Sequence, residues 1–136
     1  MEAGYYPEFP VLLVDDEEQV LSSASKVLNS TGINNLLLCH DSREVMPLLA
    51  ETEVEAILLD ISMPHLTGDV LLEKVREAFP QIPVIIVTAS DDIEIAVRCM
   101  KIGAFDYMVK AVEPSRLIGG LRRAIELRQL SRRYSD

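Results

Sequence analysis

The segment Ala56-Ile57-Leu58-Leu59-Asp60-Ile61-Ser62-Met63-Pro64 decides how the rest of the chain is read. Four apolar residues run directly into one carboxylate, and a turn containing proline follows. An uninterrupted apolar run of this length reads as a strand buried on both faces, the mark of a parallel sheet. Asp60 then stands at the carboxyl end of that strand, where open α/β sheets place their ligands. Two other runs end in the same way. Val11-Leu12-Leu13-Val14 stops at Asp15-Asp16, and Val84-Ile85-Ile86-Val87 stops at Thr88. Near the end, Asp106-Tyr107-Met108-Val109 delivers Lys110. Three acids, one hydroxyl and one amine thus collect at strand ends.

Composition narrows the class. The 136 residues suit one domain with a real core, and 49% hydrophobic with 26% charged residues is ordinary for a globular protein. No apolar run approaches the roughly 18 residues of a membrane span. The start, Met1 to Pro7, lacks the basic and apolar regions of a signal peptide, so a cytoplasmic location is expected. A formal net charge of -9 argues against direct binding to nucleic acid or an anionic membrane. Cys39 and Cys99 lack partners at metal spacing and read as small buried hydrophobes, and neither His40 nor His65 reads as a ligand.

In chain order, residues 1–9 form an arm that only Tyr5, Tyr6 and Phe9 would tether. A strand over about 10–15 precedes a helix over 17–30, whose stripe is Val20, Leu21, Ala24, Val27 and Leu28 and whose stop is Gly32. A second strand covers 35–40. The second helix should begin after Asp41 with Glu44 three residues on, but Pro47 requires it to bend or start late. Strands at 56–60, 84–88 and 106–109 follow. Helices run from Thr67 to about Phe79, over 92–101 up to Gly103, and from Pro114 into the low 130s. Five alternations of this kind predict right-handed βαβ units on one parallel sheet, an α/β fold.

The chemistry lies where the strands end. If the first and third strands are neighbours, Asp15, Asp16 and Asp60 converge, and two like charges about 4 Å apart repel by about 4 kcal/mol at an effective dielectric near 20. A cation relieves that repulsion, and oxygen ligands with open water positions suit Mg²⁺ rather than zinc. Helix capping would explain Asp15 or Asp16 alone, but not Asp60. Lys110 offers a compact positive charge to Asp60 or to a phosphoryl oxygen, and Thr88 a hydroxyl to the same oxygen. Nucleophile, metal site, cation and hydroxyl donor are the parts that phosphoryl transfer needs.

Across about residues 9–128 the chain resembles the receiver domain of two-component response regulators. The resemblance is carried by Val14-Asp15-Asp16-Glu17, by Leu59 to Pro64 with Thr67-Gly68, by Val87-Thr88-Ala89, and by Gly103 to Lys110. It implies a flavodoxin-like (βα)5 three-layer sandwich with a five-stranded parallel sheet in the order 2-1-3-4-5. It implies an arm at 1–9, a receiver domain at 10–128, and an extension of the last helix or a linker at 129–136. It makes Asp60 the phosphoacceptor, assisted by Lys110 and Thr88. Asp16 and Asp60 become direct Mg²⁺ ligands, Asp15 a ligand through water, and the Ser62 carbonyl the last protein ligand. Thr88 and Tyr107 fall on the family's switch positions, and Ser62 and Ser90 on positions that flank the hydrolytic water. The family usually has proline after the lysine. Here Ala111 follows, so a trans Lys110–Ala111 peptide is expected.

Other readings fit less well. A flavodoxin-like electron carrier needs a hydroxyl- and glycine-rich loop where Asp15 to Glu18 stand. An aspartyl phosphohydrolase needs Asp-x-Asp, and a nucleotide switch needs a Gly-rich loop ending in Lys-Ser/Thr. A degenerate receiver that binds partners without phosphorylation remains the alternative. The resemblance implies a sensor histidine kinase as phosphodonor, with the receiver assisting its own phosphorylation and dephosphorylation rather than acting as an enzyme. The chain reads as a stand-alone receiver or as the amino-terminal piece of an ATPase-type transcription activator. The fourth helix, fifth strand and fifth helix are expected to form the output face and a homodimer contact. Leu127, Leu130 and Tyr134 would extend an apolar seam there, and Arg122, Arg123, Arg128, Arg132 and Arg133 would pair with acids such as Asp91, Asp92 or Glu94 of a second subunit.

Overall fold

The computed structural model describes residues 4–89 and 93–134. Ten elements alternate: β1 (Val11–Val14), α1 (Glu18–Ser30), β2 (Leu36–Cys39), α2 (Val45–Glu51), β3 (Ala56–Asp60), α3 (Gly68–Ala78), β4 (Val84–Thr88), α4 (Ile93–Ile102), β5 (Asp106–Val109) and α5 (Pro114–Tyr134). The strands pair in parallel, as the alternation predicts, and in the order β2-β1-β3-β4-β5 that the resemblance implies. Every residue of β1, β3 and β4 is buried. Alternate side chains feed two cores: one holds Leu12, Ile57, Leu59 and Ile86 against Leu71, Leu72 and Cys99, the other Leu13, Leu58 and Ile85 against Leu28, Leu121 and Ile125. Each such side chain contributes about 1.5–3 kcal/mol by leaving water. Among the described residues no helix is long and apolar enough to cross a membrane.

One local expectation is resolved and two details differ from the sequence reading. The second helix does start late. Asp41 caps a 3₁₀ turn at Ser42–Glu44, accepting from the Arg43 amide at 2.9 Å, so that Pro47 falls in the first turn of α2, where no intrahelical N–H is needed. Val20 is 36% exposed, so the buried face of α1 is narrower than its apolar stripe. The arm is held by backbone as well as by rings. Asn34 accepts from the Tyr6 amide, the Asn34 and Asn35 amides donate to the Tyr6 carbonyl, and the Asn35 side chain donates to the Pro7 and Glu8 carbonyls. The Tyr6–Pro7 peptide is cis.

Glycine sets how close α5 comes to the sheet. A Cβ on Gly120 would run into the Met108 methyl and meet Ile85 Cδ1 at 3.8 Å. Gly103 closes α4 at φ +123°, as its place in the sequence predicts.

Candidate functional site

β1 and β3 are neighbours, with Val14 level with Leu59, so Asp15 and Asp60 emerge side by side at the carboxyl edge of the sheet. Carboxylate oxygens of Asp15, Asp16 and Asp60 all lie within 4.8 Å of one another. Asp15 and Asp60 are buried and Asp16 is exposed, so the cluster opens to solvent on one side. Neither Asp15 nor Asp16 caps α1, because Glu17 occupies that position. Asp15 Oδ1 instead accepts from the Glu17 amide at 3.0 Å, and Asp60 Oδ1 accepts from the Ser62 amide at 3.1 Å. Those two bonds aim the remaining oxygens into the crevice.

Lys110 enters from β5. Its ammonium lies 3.3 Å from Asp15 Oδ2, 3.3 Å from Asp60 Oδ2 and 3.9 Å from Glu17 Oε1. Burial, and then the charge of Asp60, raise the Asp15 carboxyl above its usual range, against the Glu17 amide and Lys110. For Lys110 burial works downward, but the charges of Asp60 and Asp15 outweigh it and raise the ammonium pKa. One cation therefore serves several acids. The all-oxygen donor set fits a hard divalent cation such as Mg²⁺, which relieves the excess negative charge.

The expectation of a trans Lys110–Ala111 peptide is overturned, since the bond is cis. The sequence argument weighed only the local preference of the peptide. Tertiary contacts hold Lys110 in place, its amide donating to the Thr88 carbonyl at 2.8 Å and its ammonium lying between Asp15 and Asp60.

Thr88 is buried at the end of β4, whereas Tyr107 on β5 is 44% exposed. Tyr107 is level with Ile86, two residues before Thr88, so Thr88 and Tyr107 belong to the same face of the sheet. Ser90, Asp91 and Asp92 lie outside the described residues. A cavity of about 460 Å³ extends from the crevice between α1 and the loop after β5, lined by Leu13, Val20, Ala24 and Leu117 beside Asp60 and Lys110.

Two contributors went unremarked in the sequence beyond their place in a motif. Glu17 joins the ion pairs of Lys110, and its position two residues after Asp15 is the only local hint. Gly68 packs on the loop that carries Asp60. A Cβ there would overlap Ile61 Cα and lie 3.0 Å from the Asp60 carbonyl oxygen, so the start of α3 can approach the site only without a side chain.

A doubly wound α/β sheet with acids and a lysine at its carboxyl edge defines a switch-point domain, since open sheets of this kind place their ligands in that crevice. The receiver-domain profile of response regulators matches residues 11–122, and the chain belongs to that family. An NtrX-like response regulator of Rickettsia bellii is 35% identical over 128 residues, covering 93% of this chain and 27% of the relative. The DNA-binding transcriptional regulator NtrC of Escherichia coli is 32% identical over 115 residues, 85% of this chain and 24% of the relative. The chain thus spans about a quarter of the length of these curated relatives. NtrX from Brucella abortus superposes with a TM-score of 0.85 at 28% identity, over 94% of this chain and 29% of that one. A receiver domain from Clostridium thermocellum gives 0.84 at 30%, over 90% and 98%.

Proposed function

We propose that the chain is a phosphorylation-controlled switch in which Asp60 takes a phosphoryl group from the phosphohistidine of a sensor kinase, in the cytoplasm. The observation that carries this reading is Lys110 placed 3.3 Å from both Asp15 and Asp60, beside three converging carboxylates. A carboxylate oxygen of Asp60 attacks phosphorus, the P–N bond breaks, and the histidine ring leaves with its electron pair. The product is an acyl phosphate. Asp16 and Asp60 would ligate Mg²⁺ directly, Asp15 through water and Ser62 through its carbonyl; the bound ion neutralises charge on the phosphoryl oxygens. Lys110 and the Thr88 hydroxyl hold those oxygens in the product, and drawing Thr88 toward them gives the exposed Tyr107 ring room to turn inward.

That change reaches an apolar face. Ile93, Val97 and Met100 on α4, Tyr107 and Val109 on β5, and Leu127, Leu130 and Tyr134 on α5 are all exposed. This face supports output through self-association, and the transcriptional regulators among the relatives support a transcriptional output. Cross-subunit pairing by the arginines is not part of the proposal, because four of the five have partners within the chain. Arg122 donates to the Thr31 carbonyl, Arg123 pairs with Asp106, and Arg128 and Arg132 pair with Glu53.

Intact-mass measurement with acetyl phosphate tests the chemistry. One phosphoryl increment is expected with Mg²⁺ and none in EDTA or in Asp60→Asn. An increment that persists in either control overturns the assignment.

A further inference from the structure

A second charge cluster lies at the amino edge of the sheet, opposite the acid crevice, and it holds the far end of α5. Glu55 immediately precedes β3 and is fully buried, and its amide donates to the Pro10 carbonyl at 2.8 Å. Its Oε1 is in direct contact with Arg132, while its Oε2 has no hydrogen-bond partner. Arg132 also reaches Glu53 at 3.2 Å and stacks over the Phe9 ring, 4.3 Å from the centroid. Arg128, one helical turn earlier, is 7% exposed and pairs with Glu53 at 3.5 Å.

Burying a carboxylate with one oxygen unsatisfied is tolerable only while its cation stays in place. A frayed tail would leave Glu55 uncompensated, so the cost of fraying falls on the core. Arg128 and Arg132 are four residues apart and share one side of α5, continuous with buried Leu121, Ala124 and Ile125, while Leu127, Leu130 and Tyr134 are exposed. Phe9, Arg128 and Arg132 all fall outside residues 11–122, the span matched by the receiver profile.

We infer that Glu53, Glu55, Arg128 and Arg132, with Phe9, form a clamp that makes the last turns of α5 part of the domain's rigid body. The clamp fixes the direction in which the helix leaves the domain and ties the amino-terminal arm to it. Displacement of α5 at the switch face is then carried to Tyr134 rather than lost in a loose segment. The clamp needs no phosphorylation, so it is tested in the unmodified protein, where failure of the phosphoacceptor reading has no bearing.

Limited trypsin digestion of the 136-residue chain with mass-spectrometric detection is the experiment, since trypsin cuts after Arg128, Arg132 and Arg133. In the parent these bonds are expected to be cut far more slowly than in a free peptide of residues 123–136. Glu53 is half-exposed, so Glu53→Gln leaves the core folded, with a near-parental melting temperature. Cleavage after Arg128 and Arg132 is expected to rise about fivefold or more in that variant, as the open population grows. Phe9→Ala is expected to act in the same direction. Peptide-like cleavage in the parent, or an unchanged rate in folded Glu53→Gln, overturns the clamp. Glu55→Gln, which also perturbs the core, is a secondary arm read by hydrogen exchange over residues 126–134.

Discussion

Replacing Lys110 with methionine keeps the length of the side chain and removes the cation, so it isolates what that charge does. The ammonium is 3.3 Å from two carboxylates that are almost fully buried. Each pair is worth about 5 kcal/mol at an effective dielectric of 20 and about 1 kcal/mol in bulk water. The Lys110 side chain is 28% exposed, and its own desolvation offsets much of the gain. A net loss of about 1–3 kcal/mol without metal is expected, which for a domain of this size lowers the melting temperature by roughly 4–10 °C. The folded pKa of Lys110 is raised, so its contribution is complete below the ordinary value of 10.5 and is lost only as pH rises through the raised one. The deficit should therefore hold steady through neutral and mildly alkaline pH. Magnesium should show the opposite trend. Asp15, Asp16, Asp60 and Lys110 together carry three negative charges and one positive, a balance of -2 that becomes -3 in the variant. Tenfold tighter Mg²⁺ binding would add about 1.4 kcal/mol, or about 5 °C, at one fixed metal concentration. Thermal unfolding in EDTA and in Mg²⁺ reads both effects. A variant as stable as the parent without metal, or one that gains less from Mg²⁺ than the parent does, refutes the view that Lys110 neutralises the acid cluster.

Gly119 lies in the interior of α5, and a Cβ there would meet only Arg123 Nη1, at 3.5 Å. Gly119→Ala is therefore expected to stabilise the protein by about 0.5–1 kcal/mol in denaturant melts, and a loss of stability would show that this glycine serves something other than helix geometry. At the surface, Arg43 holds the Asp41 carboxyl down to about 2 from an ordinary 3.8. A depressed carboxyl stabilises the fold above its ordinary pKa and loses that contribution as pH falls through about 2. A carboxyl-carbon NMR titration should find that midpoint, and in Arg43→Gln it should move back toward 3.8.

The fold was legible because parallel strands are buried on both faces, which writes them as unbroken apolar runs with sharp ends. Strands β3, β4 and β5 begin and end where the sequence places them, and their last residues deliver the site. The edge strand was less legible: Leu38 of β2 is 48% exposed although it sits in a run of three leucines. The entry to α2 was obscured because a capped 3₁₀ turn and a first-turn proline leave no long period to read. The pairing of Glu53 and Glu55 with Arg128 and Arg132 could not be read at all. It joins residues more than seventy positions apart, and no local spacing records such a contact. Two of the arginines that the sequence reading assigns to a second subunit, Arg128 and Arg132, pair instead with Glu53 and Glu55 of their own chain.

The two clusters at opposite edges of the sheet show why charge balance, rather than the mere presence of charge, separates chemistry from architecture. At the amino edge two acids meet two arginines, Arg132 stacks on an aromatic ring, and the set closes on itself. No charge is left over to attract a ligand. At the carboxyl edge one lysine is shared among Asp15, Glu17 and Asp60, with Asp16 close by and exposed. That set is short of positive charge by construction, and burial of Asp15 makes its charged form costlier to keep without a cation. A cation would relieve that shortage, and in the proposed function a phosphoryl group brings oxygens for Lys110 and the Thr88 hydroxyl to take up. α5 runs between the two edges, lying over β5 near the first cluster and anchored through Arg128 and Arg132 at the second. On the proposed reading, the unbalanced edge is the one that changes its charge state, and the balanced edge holds the far end of α5 in place.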